Sequence, residues 1–159
     1  MQGNHKVIAE LNAALHSELT AIVQYMVQSE LCQNWGYDRL GAYLKRRALE
    51  EMHHAEGLIE RIVFFDSVPV VKVSIAPVIN DNVKAQLQAD LKDEHDAIHQ
   101  YNGSIKVCVA AADNGTRELF ESMVKDEEGH ADFLESQLHA IEEMGIAEYL
   151  SQQLHGEKS

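Results

Sequence analysis

Glutamate followed three residues later by histidine occurs three times in this 159-residue chain: Glu50-x-x-His53, Glu51-x-x-His54 and Glu127-x-x-His130. On a helix, residues three apart lie on adjacent turns of one face, so each pair can set a carboxylate and an imidazole against one cation. The spacing alone is weak, because the chain's glutamates and histidines give about one such match by chance. Two further glutamates, Glu18 and Glu94, add the weight. Glu18, Glu51, His54, Glu94, Glu127 and His130 together offer four carboxylates, two imidazoles and no thiolate. That donor set suits two divalent irons with positions left open for oxygen. Zinc usually takes fewer carboxylates and calcium does not want the histidines, while manganese stays open.

The elements that must hold these residues are four helices. Periodicity places them at about Lys6–Gln33, Arg39–Phe65 and Asn82–Ala112, then from Thr116 as N-cap to Met144, with Gly145 as the closing residue. A short fifth helix fits between Ile146 and Leu154. Each long helix carries an apolar stripe: Ile8, Leu11, Leu15, Ile22 and Tyr25 in the first, Leu44, Ala48, Ala55, Leu58 and Ile62 in the second. The third has Val83, Leu87, Leu91, Ile98, Tyr101, Ile105 and Cys108, and the fourth Phe120, Met123, Leu134, Leu138 and Ile141. One glutamate interrupts every stripe where the period demands an apolar residue. A lone buried carboxylate is costly, and four converging ones repel unless cations lie between them. Buried ion pairs would be the plain alternative, but no lysine or arginine falls in the four stripes. Helix phase separates the competing motifs, since Glu51 shares the core stripe while His53 shares a face with Arg46 and Glu60. Tyr25 lies in the Glu18 stripe, near enough to the centre to donate a hydrogen bond or an electron.

Between the second and third helices, Asp66 to Asp81 with Pro69 and Pro77 is not helical. Extended chain covers about 3.3 Å per residue, so this segment can cross the length of a helix. The second and third helices then run parallel, in an all-α, up-down four-helix bundle with one long crossover and a short fifth C-terminal helix. Length predicts a single domain over 1–159. The formal net charge of −13 repels phosphate backbones and argues against nucleic acid. Cys32 and Cys108 form no paired motif, which fits a reducing compartment. The polar start carries no signal-peptide core and no apolar run reaches a membrane span, so the expected location is cytoplasmic.

Over nearly its whole length the chain resembles the bacterioferritins. The matching residues are Glu18, Gln24-Tyr25, Asn34-Trp35-Gly36, Glu51-Met52-x-His54-Ala55, Glu60-Arg61-Ile62, Glu94 and Asp126-Glu127-Glu128-Gly129-His130, with Glu143-Met144-Gly145-Ile146 and Tyr149-Leu150 at the end. The resemblance implies a ferroxidase that oxidises Fe(II) with O2 or H2O2, two irons per subunit at the six ligands, and Glu51 and Glu127 as bridges. It implies iron storage as Fe(III) mineral in a homo-oligomeric shell of 24 subunits built from two-fold dimers. It also implies haem b shared between two subunits through Met52, and a ferredoxin-like electron donor for iron release. From the residues alone, Met52 joins Leu49, Ile59 and Val63 on a second stripe, with Leu19, Val23 and Met26 on the first helix, and is more often an interface residue than a ligand. Lys45-Arg46-Arg47 departs from the family, which often has carboxylates or histidine there. Facing a cavity, it would discourage iron on the inner wall and leave the six-ligand centre untouched. The alternative function is a rubrerythrin-like peroxidase or another di-iron oxidase without storage.

Overall fold

The computed structural model describes residues 1–72 and 77–154. It contains four long helices, α1 (His5–Asn34), α2 (Asp38–Phe64), α3 (Val83–Ala110) and α4 (Asn114–Met144), followed by α5 (Ile146–Ser151). Side-chain caps fix three of the starts. Asn4 accepts from the Lys6 amide at 2.9 Å and Asn82 from the Ala85 amide at 2.9 Å. At α4 the cap is Asp113, which accepts from the Thr116 amide at 3.0 Å. Thr116 was expected to be that cap and is instead inside the first turn, where its hydroxyl donates to Asp113 and accepts from Arg61 Nε. The chain reverses at Ala112, whose φ is 54°. Gly145, at φ 81°, ends α4 as expected. Helix α5 stops at Ser151, short of Leu154, as the backbone tightens and Gln153 O accepts from the Arg39 amide at 3.1 Å.

Contacts at opposite ends set the topology. Cys32 Sγ near the end of α1 meets Gln86 at the start of α3, while Ser104 of α3 donates to Glu10 near the start of α1. These helices are therefore antiparallel. Arg61 near the end of α2 reaches Asp113 and Thr116 at the start of α4, so these two are antiparallel as well. Ser29 near the end of α1 donates to Gly41 O at the start of α2, so that pair is antiparallel too. Helices α2 and α3 consequently run parallel, and the chain between them must return along the bundle. It does so against α1. The Val70 amide donates to Asn12 at 2.8 Å, and the Val78 amide donates to Gln24 Oε1 at 3.1 Å, three turns further on. Residues 73–76 of the expected crossover, and 155–159 of the tail, lie outside the described residues. Among the described residues no helix is long and apolar enough to cross a membrane.

The core forms two apolar clusters. One holds Leu11, Leu15, Leu58, Ile62, Phe120 and Met123; the other holds Leu44, Leu87, Leu134, Ile141 and Tyr149. On every long helix the glutamate that interrupts the stripe falls at the boundary between them. Each fully buried leucine contributes roughly 2 kcal/mol, so apolar packing on both sides supports a polar layer that would not hold together alone.

A second polar device, unseen in the stripes, joins α1 to α3. The amide nitrogens of Gln24 and Gln28 donate to Asp90 Oδ1 at 3.0 and 2.7 Å. Burial pushes the Asp90 carboxyl up to about 7. The folded protein therefore holds a proton that the unfolded chain releases near pH 4, and stability falls as pH rises from there to about 7. Asp90→Asn is expected to make that fall shallower by up to one proton, read as the pH dependence of the unfolding midpoint of metal-free protein.

Candidate metal centre

All six predicted residues converge in the layer between the two clusters. Glu18, Glu51, Glu94 and Glu127 are buried, His54 sits at the edge of burial and His130 is half-buried. On α2, Glu51 and His54 are buried while Glu50 and His53 are exposed, the burial that helix phase predicts. Two groups of ligand-type atoms form, Glu18, Glu51, His54 and Glu127 in one, Glu51, Glu94, Glu127 and His130 in the other. Within each group these atoms lie within 4.8 Å of one another, and Glu51 and Glu127 belong to both.

In the first group His54 Nδ1 is 2.9 Å from Glu51 Oε2, 3.1 Å from Glu127 Oε1 and 3.6 Å from Glu18 Oε2. In the second, His130 Nδ1 is 2.8 Å from Glu127 Oε2 and 4.0 Å from Glu94 Oε2. Each outer carboxylate receives one phenol. Tyr25 OH donates to Glu94 Oε1 at 2.6 Å, and Tyr101 OH donates to Glu18. Tyr25 thus serves the carboxylate across the bundle, not the Glu18 of its own stripe. Behind the imidazoles, His54 Nε2 is 3.0 Å from Asp126 Oδ2 and His130 Nε2 is 3.1 Å from Glu50 Oε2. Carboxylates placed behind imidazoles in this way orient the ring and turn Nδ1 toward the centre. The halves correspond residue for residue: Glu18 and Tyr25 with Glu94 and Tyr101, Glu50, Glu51 and His54 with Asp126, Glu127 and His130.

Arg47 corrects the expectation that no basic residue pairs the buried carboxylates. Its side chain is only 2% exposed. Nη2 contacts Glu51 Oε1 and lies 3.0 Å from Glu94 Oε1 and 3.7 Å from Glu127 Oε2; Nη1 is 2.7 Å from His130 Nε2. Of Lys45-Arg46-Arg47, only the first two are exposed. Arg47 is four residues before Glu51, hence on the same face, and its long stem carries the guanidinium into the carboxylates. Tyr101, Asp126 and Glu50 were likewise not singled out as site residues.

The charges follow from this crowding. Burial, then repulsion from Glu51, pushes the Glu18 carboxyl well above its ordinary range; burial, then Glu127, does the same to Glu94. Burial also raises Glu51, but hydrogen bonding with His54 and the charge of Arg47 outweigh it and hold that carboxyl low. For His54 burial opposes a charge, yet contacts with Glu127, Glu18 and Glu51 hold it protonated. His130, in the half that contains Arg47, is pushed down by burial and by the guanidinium. Each half thus meets its carboxylates with one cationic side chain, His54 in the first and Arg47 in the second. Glu18 Oε2 is buried with no hydrogen-bond partner among the described residues, as an oxygen kept for a cation would be.

The layer opens on two sides. A cavity of about 230 Å³ between α1 and α3, bordered by Ser17, Ala21, Ala97 and Gln100, reaches Glu18 and Glu94. On the α2–α4 side a cleft is lined by Glu50, His53, His54, Asp126 and His130. Met52 is not part of the centre. It is 41% exposed, and Leu49, Val63, Val23 and Met26 of the two second stripes are exposed as well.

Residues 8–144 match the family model of the ferritin-like domain. The chain is 43% identical to the bacterioferritin of Brucella melitensis over 94% of its own length and 92% of that protein's. It is 39% identical to the bacterioferritin of Rhodobacter capsulatus, over 91% and 90%. A solved structure of Rhodobacter capsulatus bacterioferritin superposes with a TM-score of 0.97 at 36% identity, covering 100% of this chain and 99% of that one. That structure has a metal-free dinuclear site and its haem iron in a crystallographic special position.

Proposed function

Since the chain belongs to the bacterioferritins, ferritin-like ferroxidases that store iron, we propose that its Fe(II) chemistry runs at the six core residues. The observation that carries this reading is the pair of ligand groups sharing Glu51 and Glu127. Two Fe(II) substrates sit side by side, Glu18 and His54 holding one, Glu94 and His130 the other, with Glu51 and Glu127 bridging. Nothing in the donor set conflicts with iron: hard oxygens, imidazoles and no thiolate. Each Fe(II) gives one electron. Two electrons with two protons reduce O2 to H2O2, or H2O2 to two waters, and the product is Fe(III). Asp126 and Glu50 orient the imidazoles, and the phenols of Tyr101 and Tyr25 hold Glu18 and Glu94 in place. Tyr25, hydrogen-bonded to Glu94, is also proposed as a redox-active phenol. The α1–α3 cavity admits the oxidant or the ion.

Storage requires a shell, and 24 copies assembled from two-fold dimers is the form proposed. Aerobic Fe(II) loading followed by size exclusion tests it. Iron is expected to elute with a species of 24-mer size; iron left in the small-molecule fraction, or a far smaller protein, sinks the storage reading. A rubrerythrin-like peroxidase is not favoured, because the two cysteines are buried on different helices and form no thiolate iron site. Met52 is proposed as the residue whose thioether would hold haem b at a two-fold interface. An exposed thioether inside an apolar patch fits a group with flat apolar faces and a soft-ligand iron. The chemistry haem would supply there is electron transfer toward the mineral for release. Met52→Leu is expected to abolish the bis-thioether absorption spectrum of the purified protein while leaving the shell intact.

A further inference from the structure

Exchanging the two halves of the centre carries every member onto a chemically similar partner, with one exception: four residues before Glu51 stands Arg47, four before Glu127 stands Met123. Both are buried. We propose that Arg47 guards the second cation position, so the centre fills in order. A divalent ion enters between Glu18, Glu51, His54 and Glu127 first. The position between Glu51, Glu94, Glu127 and His130 fills only after the guanidinium withdraws. This deepens the reading above and rests on it.

The geometry is that of a stand-in ion. Nη2 reaches all three carboxylates of the second position, in contact with Glu51, 3.0 Å from Glu94 and 3.7 Å from Glu127. Nη1 lies 2.7 Å from the imidazole of the fourth member, His130. A divalent ion at that point would share its ligands with a fixed positive charge a few ångströms away, which costs far more in the interior than in water. Arginine does not leave by losing its proton, so it leaves only by moving. A way out exists. Nη1 is already paired with Glu50, which is 50% exposed and borders the cleft between α2 and α4. Arg47 Nε has no hydrogen-bond partner among the described residues, so only the terminal nitrogens hydrogen-bond, while the Tyr25 ring lies 5.3 Å from the guanidinium carbon. The first position holds no group that must leave: the imidazole among its carboxylates, His54, is itself a ligand there, and the pseudo-symmetric neighbour of Arg47 is the uncharged Met123. Because the two-electron reduction draws one electron from each Fe(II), a guarded second position makes oxidation depend steeply on Fe(II) concentration.

The test uses Zn(II), which binds without being oxidised, and reads occupancy by anomalous diffraction from crystals equilibrated at graded concentrations, with equilibrium dialysis for stoichiometry. In the native shell the Glu18–His54 position is expected to reach half-occupancy at a concentration at least about tenfold below the other. Arg47 is expected to be displaced wherever the second ion appears. Arg47→Met gives both halves the same uncharged neighbour and is expected to narrow that gap by about tenfold. Arg47→Lys, which keeps the charge, is expected to preserve the filling order, and it answers the question if Arg47→Met does not assemble. Equal filling of both positions in the native protein, or a second zinc bound with Arg47 still in place, overturns the inference alone. Absence of zinc from both positions in every protein overturns the ligand set as well.

Discussion

Glu127→Ala is expected to lower the initial rate of Fe(II) oxidation at least about 100-fold, since the loss of one orienting partner behind a ligand already costs about 10–100-fold and a shared ligand serves two ions. Glu127 and Glu51 are the only residues common to both ligand groups. Removing Glu127 takes one oxygen from each ion and the link that keeps the two adjacent. Glu51→Ala should do the same, but it also frees one partner of Arg47, so Glu127 is the cleaner choice. Glu127→Gln keeps the shape and removes the charge. It is expected to fall between the parent and Glu127→Ala. The exposed neighbour Glu128 serves as control, and its alanine variant should oxidise iron at the parent rate. The measurement is the early rise of Fe(III) absorbance after mixing Fe(II) with aerated protein. Parent rates in both Glu127→Ala and Glu51→Ala would mean that the six residues are the wrong set.

What made this centre legible in the sequence was a violated pattern. An apolar stripe has few exceptions, and four stripes broken once each by the same residue type point to one buried layer. That this layer divides the core into two apolar clusters is what the packing adds. The parallel pairing of α2 and α3 followed from the length of the crossover alone. Its course did not, because that depends on single side chains of α1, Asn12 and Gln24, meeting backbone amides. The N-cap of α4 went to Asp113, since a carboxylate one turn before Thr116 accepts a backbone proton better than a hydroxyl already engaged by Arg61. Contacts made across helices, Asp126 with His54 or Tyr25 with Glu94, require the packing itself.

Arg47 is a different case, because its signal was present. Rows at spacings of three and four are not unique, and 47, 51, 54 and 58 form one as good as 44, 48, 51 and 55. A long cationic side chain four residues before a buried glutamate can reach it. The repeated spacing of Glu18 to Tyr25 and Glu94 to Tyr101 shows that the halves correspond. Aligning them places Arg47 opposite Met123, where a charge stands out.

In metal-free protein, Arg47→Ala is expected to cost about 3–5 kcal/mol of stability, the usual cost of removing one partner from a buried charge pair. The guanidinium is in reach of Glu51, Glu94 and Glu127 at once, so its loss leaves carboxylates buried against one another. They respond by holding protons. Glu18 and Glu94 are already raised by burial and by their anionic neighbours. A raised carboxyl contributes most at low pH, and that contribution falls as pH climbs from the unfolded value toward the folded one. The deficit of Arg47→Ala should therefore be small near pH 4 and grow toward neutrality. Zn(II) separates the meanings of the pair. If Arg47 were only a structural ion pair, metal would raise the unfolding midpoints of native and variant protein equally. If it stands where a divalent ion belongs, zinc replaces the missing charge, and the variant should gain more than the native protein. The reason is that the native protein must first give up the contacts of its own arginine before the second ion can bind.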